Sequence, residues 1–178
     1  MARYFIKNIL LSILFLFSVN GLLKGSPQED ISGTVNTYAR VNTIESADAV
    51  ILDDVSGFSN GDTVLVIQMK GVSISTSQSP AFGIEDGFLN GLYPDHGIGY
   101  YEFIIIEQVE AGPKRITFRN NMLGFGKYHV EGFLQVVKVP SYESATVTSD
   151  LTCAPWDSVS RTGGVLAVII NKRLELEA

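Results

Sequence analysis

At 178 residues, 46% hydrophobic and 18% charged, the chain has the length of one domain and can bury a core without covalent staples. Its single cysteine, Cys153, excludes an intramolecular disulfide framework and a cysteine-rich zinc site. A formal charge of −6 argues against a nucleic-acid partner, because phosphate binding needs clustered Lys and Arg.

Arg3 and Lys7 precede an almost unbroken apolar run from Ile9 to Phe17. A basic start followed by a short apolar stretch is the layout of a secretory signal peptide, in a helix too short for the roughly 20 residues that cross a bilayer. Residues 1–25 are therefore predicted to be a signal peptide, with a retained membrane anchor as the alternative. Residues 26–178 are predicted to be a single exported β domain without a stable membrane span: secreted, cell-surface or periplasmic. Losing Arg3, Lys7 and Lys24 leaves ten basic against 19 acidic residues, a net charge of −9. A free thiol is a liability in an oxidising compartment, so Cys153 is expected in the core as a small hydrophobe.

The remainder predicts an all-β fold, an antiparallel sandwich or barrel of eight or nine strands. Thr34 to Ile44 alternates, with Val35, Ala39 and Val41 on one face. Ala49–Leu52 is a short buried strand closed by Asp53-Asp54, and Thr63 to Lys70 resumes after a turn-rich stretch around Phe58. Gly71 to Gly99 holds six glycines and two prolines, a long glycine-rich insert without periodicity. Tyr100 to Val109, centred on Ile104-Ile105-Ile106, is expected to be buried on both faces. Ala111-Gly112-Pro113 turns the chain into Arg115–Phe118 as the second arm of a hairpin. Phe133 to Val139 and Gly164 to Ile170 read as two further strands, and Leu174 and Leu176 alternate with Arg173, Glu175 and Glu177. That last strand lies either at a sheet edge, as in the front portion of a longer protein, or paired within the sheet.

Candidate chemistry is sparse. His96 and His129 lack the spacing of metal ligands, and no G-x-S-x-G elbow accompanies Asp95-His96. Glu102 interrupts an apolar strand, where a charge must be paired. With Asp157 it could in principle form a glycosidase pair, while the structural reading bonds it to Arg, backbone or solvent. Glu85, Asp86, Asn90 and Asp95 offer oxygen ligands for Ca²⁺ in the glycine-rich insert, but not in the order of a calcium loop. Gly163-Gly164 has neither the lysine nor the helix of a phosphate loop. Trp156, Tyr101 and Tyr93 are the candidate ligand platform, since sugar rings stack on exposed aromatic faces. The alternative for Trp156 is a plug at the end of the core.

Several segments, taken in order, carry a resemblance: Val35-Asn36-Thr37-Tyr38, Gly61-Asp62-Thr63-Val64-Leu65-Val66-Ile67-Gln68-Met69-Lys70-Gly71, Tyr101-Glu102-Phe103, Gln135-Val136-Val137-Lys138-Val139-Pro140, Pro155-Trp156-Asp157, and Thr162-Gly163-Gly164. Together they resemble the N-terminal region of large adhesin-like exported surface proteins of gliding bacteria. Those proteins carry a gliding-motility-associated C-terminal domain that serves type IX secretion. The resemblance spans residues 34–178, departs at Ser158–Arg161, and supplies no catalytic residues. With the signal peptide, the all-β pattern and the lack of a coherent catalytic set, the expectation is a non-catalytic exported domain of an adhesin-like cell-surface or secreted protein, without cofactor or metal, with surface glycans or other exported proteins as candidate partners. A carbohydrate-binding module or glycosidase-associated fragment is the alternative.

Overall fold

The structure, a computed structural model, describes residues 28–70 and 99–177. The signal-peptide segment, Tyr93, His96 and the four candidate calcium ligands lie outside the described residues. Nine strands follow one another: β1 (Gln28–Thr34), β2 (Thr37–Ser46), β3 (Ala49–Leu52), β4 (Thr63–Gln68), β5 (Tyr101–Glu110), β6 (Arg115–Phe118), β7 (Leu134–Lys138), β8 (Ser141–Thr152) and β9 (Ile169–Leu176). Among the described residues the only helical turn is a short 3₁₀ turn at Val130–Gly132, and no helix is long and apolar enough to cross a membrane.

Six strands close into an antiparallel barrel in the order β2-β3-β6-β5-β4-β7. Closure removes the open edges that an isolated sheet would expose. Strand alternation sends Ala39, Val41, Val50, Leu52, Val64, Val66, Ile104, Ile106, Ile116, Phe118, Leu134 and Val136 inward, where all are buried, with Phe58, Met122 and Tyr128 in the same cluster. The hairpin expected at Ala111–Pro113 is present, pairing Glu110 with Arg115.

The other three strands form a parallel sheet, β1-β8-β9, beside the barrel. Parallel neighbours need long crossovers. The barrel itself is the crossover from β1 to β8, and residues 153–168 are the crossover from β8 to β9. β9 pairs with β8 on one side and, among the described residues, has no strand on the other, so the terminal strand lies at a sheet edge.

The 153–168 crossover contains no strand of its own and lies across the outside of β7 and β4. Leu65, Val137 and Val139 are buried beneath it, packed with Tyr38, Ile67, Val165, Ala167 and Ile169. Barrel side chains satisfy its backbone. Gln135 donates through Nε2 to the Gly163 carbonyl at 3.1 Å and accepts the Gly163 N–H at 3.0 Å. The Tyr38 hydroxyl donates to the Val165 carbonyl at 2.6 Å. Asn36 donates to the carbonyls of Ala167 and Lys138 and accepts the Ala167 N–H at 3.1 Å. The crossover is thus a strap, tied at three points along the barrel wall.

Four expectations are corrected by this arrangement. Gly164 to Val168 is not a strand: Gly163 and Gly164 turn the chain with φ of 97° and 71°, and the following backbone bonds to side chains instead of a neighbouring strand. Thr34 to Ile44 is not continuous. The chain breaks at Val35-Asn36, and the buried residue there is Asn36, which holds the strap. β5 is not buried on both faces, because the strap covers β7 and β4 and stops short of it; the doubly buried strands are β4 and β7. Cys153 is half-buried in the lead-in to the strap rather than in the core.

Ile106 lies fully buried in the barrel. Ile106→Ala should cost about 2–5 kcal/mol in urea unfolding, the range for deleting a large buried aliphatic side chain. Gln135→Ala should orphan two buried backbone groups of Gly163, each costing about 1–3 kcal/mol. Proteolysis within residues 153–168 should accelerate in that variant well before global unfolding. A strap as protected as in the parent protein would contradict the tie.

Candidate functional site

The strap leaves part of the outer barrel wall open. Strand register lines up two outward-facing rows, Tyr38-Val137-Leu65-Phe103 and Gln135-Ile67-Tyr101. The β7 members of both rows lie under the strap. The β5 members do not, so Tyr101 is 63% exposed and Phe103 54% exposed. Their rings meet edge to face, with centroids 6.3 Å apart at 86°. Such pairs hold each other's orientation beyond what burial supplies. Leu65 and Ile67 complete the floor, Val165–Val168 of the strap form one wall, and Leu151 and Leu174 of the parallel sheet form the other. The groove encloses about 580 Å³.

Trp156 lies at the base of the strap, 38% exposed. Its ring stacks on Phe133 at 6.0 Å and 29°. The Arg161 guanidinium and the Lys70 ammonium also lie over the Phe133 ring, at 4.8 Å and 5.1 Å from its centroid. A tight hairpin paired at Asp157 and Thr162 brings Trp156 and Arg161 together. The Asp157 carboxylate accepts the N–H groups of Val159 and Ser160, and those bonds hold its carboxyl below the usual range. The indole therefore neither plugs the barrel nor stands alone; it forms one side of an aromatic stack with two cations.

Of the predicted platform, Tyr101 and Trp156 are brought to this outer surface. Sequence reasoning missed Phe103, Phe133, Lys70 and Arg161. A signal for Phe103 was present: Tyr101 and Phe103 share parity on a strand whose opposite parity carries Ile104 and Ile106. Phe133 was hidden because it adopts φ 58° just before β7, where alternation gives no warning.

The Glu102–Asp157 pair is not assembled as catalytic machinery. Glu102 is buried with the inward parity of Ile104 and Ile106, and its carboxylate accepts the N–H groups of Leu123 at 2.9 Å and Gly124 at 3.0 Å. It also bonds the Tyr128 phenol. Asp157 is exposed on the strap, outside the barrel. His129 is half-buried, its imidazole pKa lowered by burial, and its backbone N–H donates to Gln68 at 2.7 Å. Among the described residues no group of three His, Cys, Asp or Glu side chains is placed to hold a metal ion.

Burial, the Glu102 charge and the Glu102 hydrogen bond all push the Tyr128 phenol well above its ordinary pKa of 10.0. The fold favours the neutral phenol. Stability from this group is therefore full below pH 10 and is lost as pH rises above it. Urea unfolding at pH 8 and pH 11 should show a marked fall for the parent protein and a smaller one for Tyr128→Phe. Part of the fall should persist, since Tyr38 and Tyr142 are also raised by burial. An identical fall in the variant would refute the assignment.

A scan against protein-family models matches none, and a search of curated protein sequences matches none. Among solved structures, the chain is similar to the Gp54 tailspike of Acinetobacter baumannii bacteriophage AP22, determined in complex with A. baumannii capsular saccharide. That likeness has a TM-score of 0.34 and 12% identity, and it covers 65% of this chain and 18% of the tailspike.

Proposed function

We propose that this chain is a non-catalytic exported domain of an adhesin-like surface protein, and that it binds saccharide on the outer wall of its barrel. The observation that carries the reading is the exposed Tyr101–Phe103 pair on the open groove. Two aromatic rings, mostly solvent-exposed yet fixed edge to face on a closed barrel, present apolar faces whose orientation costs little entropy to hold. Sugar rings, apolar on one face and polar at the rim, match such a surface. A binding role rather than turnover is further supported by Glu102, whose lone pairs go to backbone amides and a phenol. The basic-then-apolar leader of residues 1–25 supports export.

The test is binding of the purified chain to an array of neutral and acidic glycans. Parent protein should be retained on a subset of glycans, and Tyr101→Ala should weaken that binding at least tenfold, about 1.4 kcal/mol. Circular dichroism should be unchanged in the variant, because Tyr101 contributes little to the core. An array with no retained glycan, or a Tyr101→Ala variant that binds as well as the parent, would overturn the proposal.

A further inference from the structure

The charged side of the Trp156 stack defines the kind of sugar this surface takes. Lys70 and Arg161 both lie over the Phe133 ring, and no carboxylate of the described residues forms an ion pair with either. Arg115, Arg119, Lys138, Lys172 and Arg173 are each matched to an acidic side chain, while Arg40 bonds Asn42, Lys114 the Asp53 carbonyl and Lys127 lies over the Tyr100 ring. Asp157, four residues before Arg161, is turned into its own hairpin by the Val159 and Ser160 amides, and Glu131, two residues before Phe133, forms no ion pair with either cation. Two cations are therefore gathered on one ring, beside an indole that is 38% exposed, without an ion-pair partner among the described residues.

We propose that this stack binds a uronic-acid residue of a saccharide, the pyranose ring lying on Trp156 and its carboxylate taken by Arg161 and Lys70. The inference rests on the saccharide-binding reading above and names its ligand class. The chemistry matches at each point. A guanidinium offers a planar fork of donors to a carboxylate, and an ammonium adds a second point charge. The Phe133 ring holds both cations by its face while leaving their outward N–H groups for a ligand. Trp156, Arg161 and Lys70 each lie within 6.0 Å of the Phe133 centroid, which gathers an aromatic face and two cations around one ring. The stack and the groove are linked by the strap, which carries Trp156 near one end and Val165–Val168 near the other. Phe133 lies two residues before Gln135, whose row ends at Tyr101 two strands away, which places it about 12 Å from Tyr101 by ordinary sheet spacings. A short oligosaccharide can engage both.

The experiment is calorimetric titration of the full chain with oligogalacturonates, alginate oligomers and glucuronate-containing oligosaccharides, each also after chemical reduction of its carboxyl groups. At least one acidic oligomer should bind at least tenfold more tightly than its reduced counterpart. Arg161→Gln and Lys70→Gln should each weaken the acidic form and narrow that gap, and Trp156→Ala should weaken both forms. Arg161→Lys should fall between parent and Arg161→Gln, which separates lost charge from lost fork geometry. Melting curves for every variant report whether the strap hairpin stays folded. Equal affinity for acidic and reduced forms, or a gap that survives Arg161→Gln and Lys70→Gln, would overturn the acidic-sugar inference while leaving saccharide binding intact. So would a protein that retains neutral glycans through Tyr101 and ignores every uronate. Failure to bind any glycan, acidic or neutral, would remove both readings together.

Discussion

Three polar side chains on the outside of the barrel, Asn36, Tyr38 and Gln135, hold the arrangement together. Between them they bond the backbone of Gly163, Val165 and Ala167, a stretch that has no strand partner of its own. Buried backbone groups must be paired somewhere, and here the pairing comes from amide and phenol groups on β7, on the start of β2 and on Asn36 just before it. The conformation of Gly163 is part of the same constraint. A Cβ at this position would approach the Pro155 carbonyl oxygen to 2.4 Å, so only glycine lets the strap turn down onto Gln135.

The strap decides which surfaces of the barrel are core and which are available. Where it lies, the outward side chains of β4 and β7 become a second hydrophobic layer. Where it stops, the same rows continue into solvent as Tyr101 and Phe103. The aromatic pair is therefore a consequence of strap length and path, not of any local preference of β5 for exposure. Gly163-Gly164, which as a motif suggested at most a bulge, is the pivot that brings Trp156 and Arg161 onto Phe133 at one end of the strap and apolar residues onto the groove at the other.

The barrel strands were legible because they are short runs of β-branched and apolar residues whose ends carry Asp, Gly and Pro. Ala49–Leu52, Thr63–Gln68 and the hairpin through Pro113 are found almost where alternation and turn residues put them. The small parallel sheet was not legible. β8 is rich in Ser and Thr and only its middle, at Ala145 and Thr146, is buried, so it offers no apolar stripe to read. Nor does a sequence announce that its first and eighth strands are neighbours, since the whole barrel lies between β1 and β8 along the chain. The strap misled for a different reason. Val165-Leu166-Ala167-Val168 has strand composition, and only the side-chain partners Tyr38 and Asn36 keep it out of a ladder. Gln68 and Gln135 were the overlooked clue: a fully buried glutamine inside an apolar strand must have a backbone to bond, and each one does.

The placement of charge follows the same logic. Acidic residues outnumber basic ones by six, yet many of the carboxylates are committed to the chain's own N–H groups. Asp53 accepts from Arg40 and Asp54, Asp54 from Ser56, Asp62 from Ser59, Asp157 from Val159 and Ser160, and Glu102 from Leu123 and Gly124. At Asp53, Asp54, Asp62 and Asp157 that charge orders turn backbone that alternation cannot. The outer wall takes its order from the strap, whose hairpin Asp157 caps, and carries aromatic rings and two cations. Beyond a screening length of about 8 Å at physiological salt, the distant carboxylates contribute little to what an approaching ligand meets. A polypeptide of net negative charge can in this way present two cations, Lys70 and Arg161, that no carboxylate of the described residues pairs.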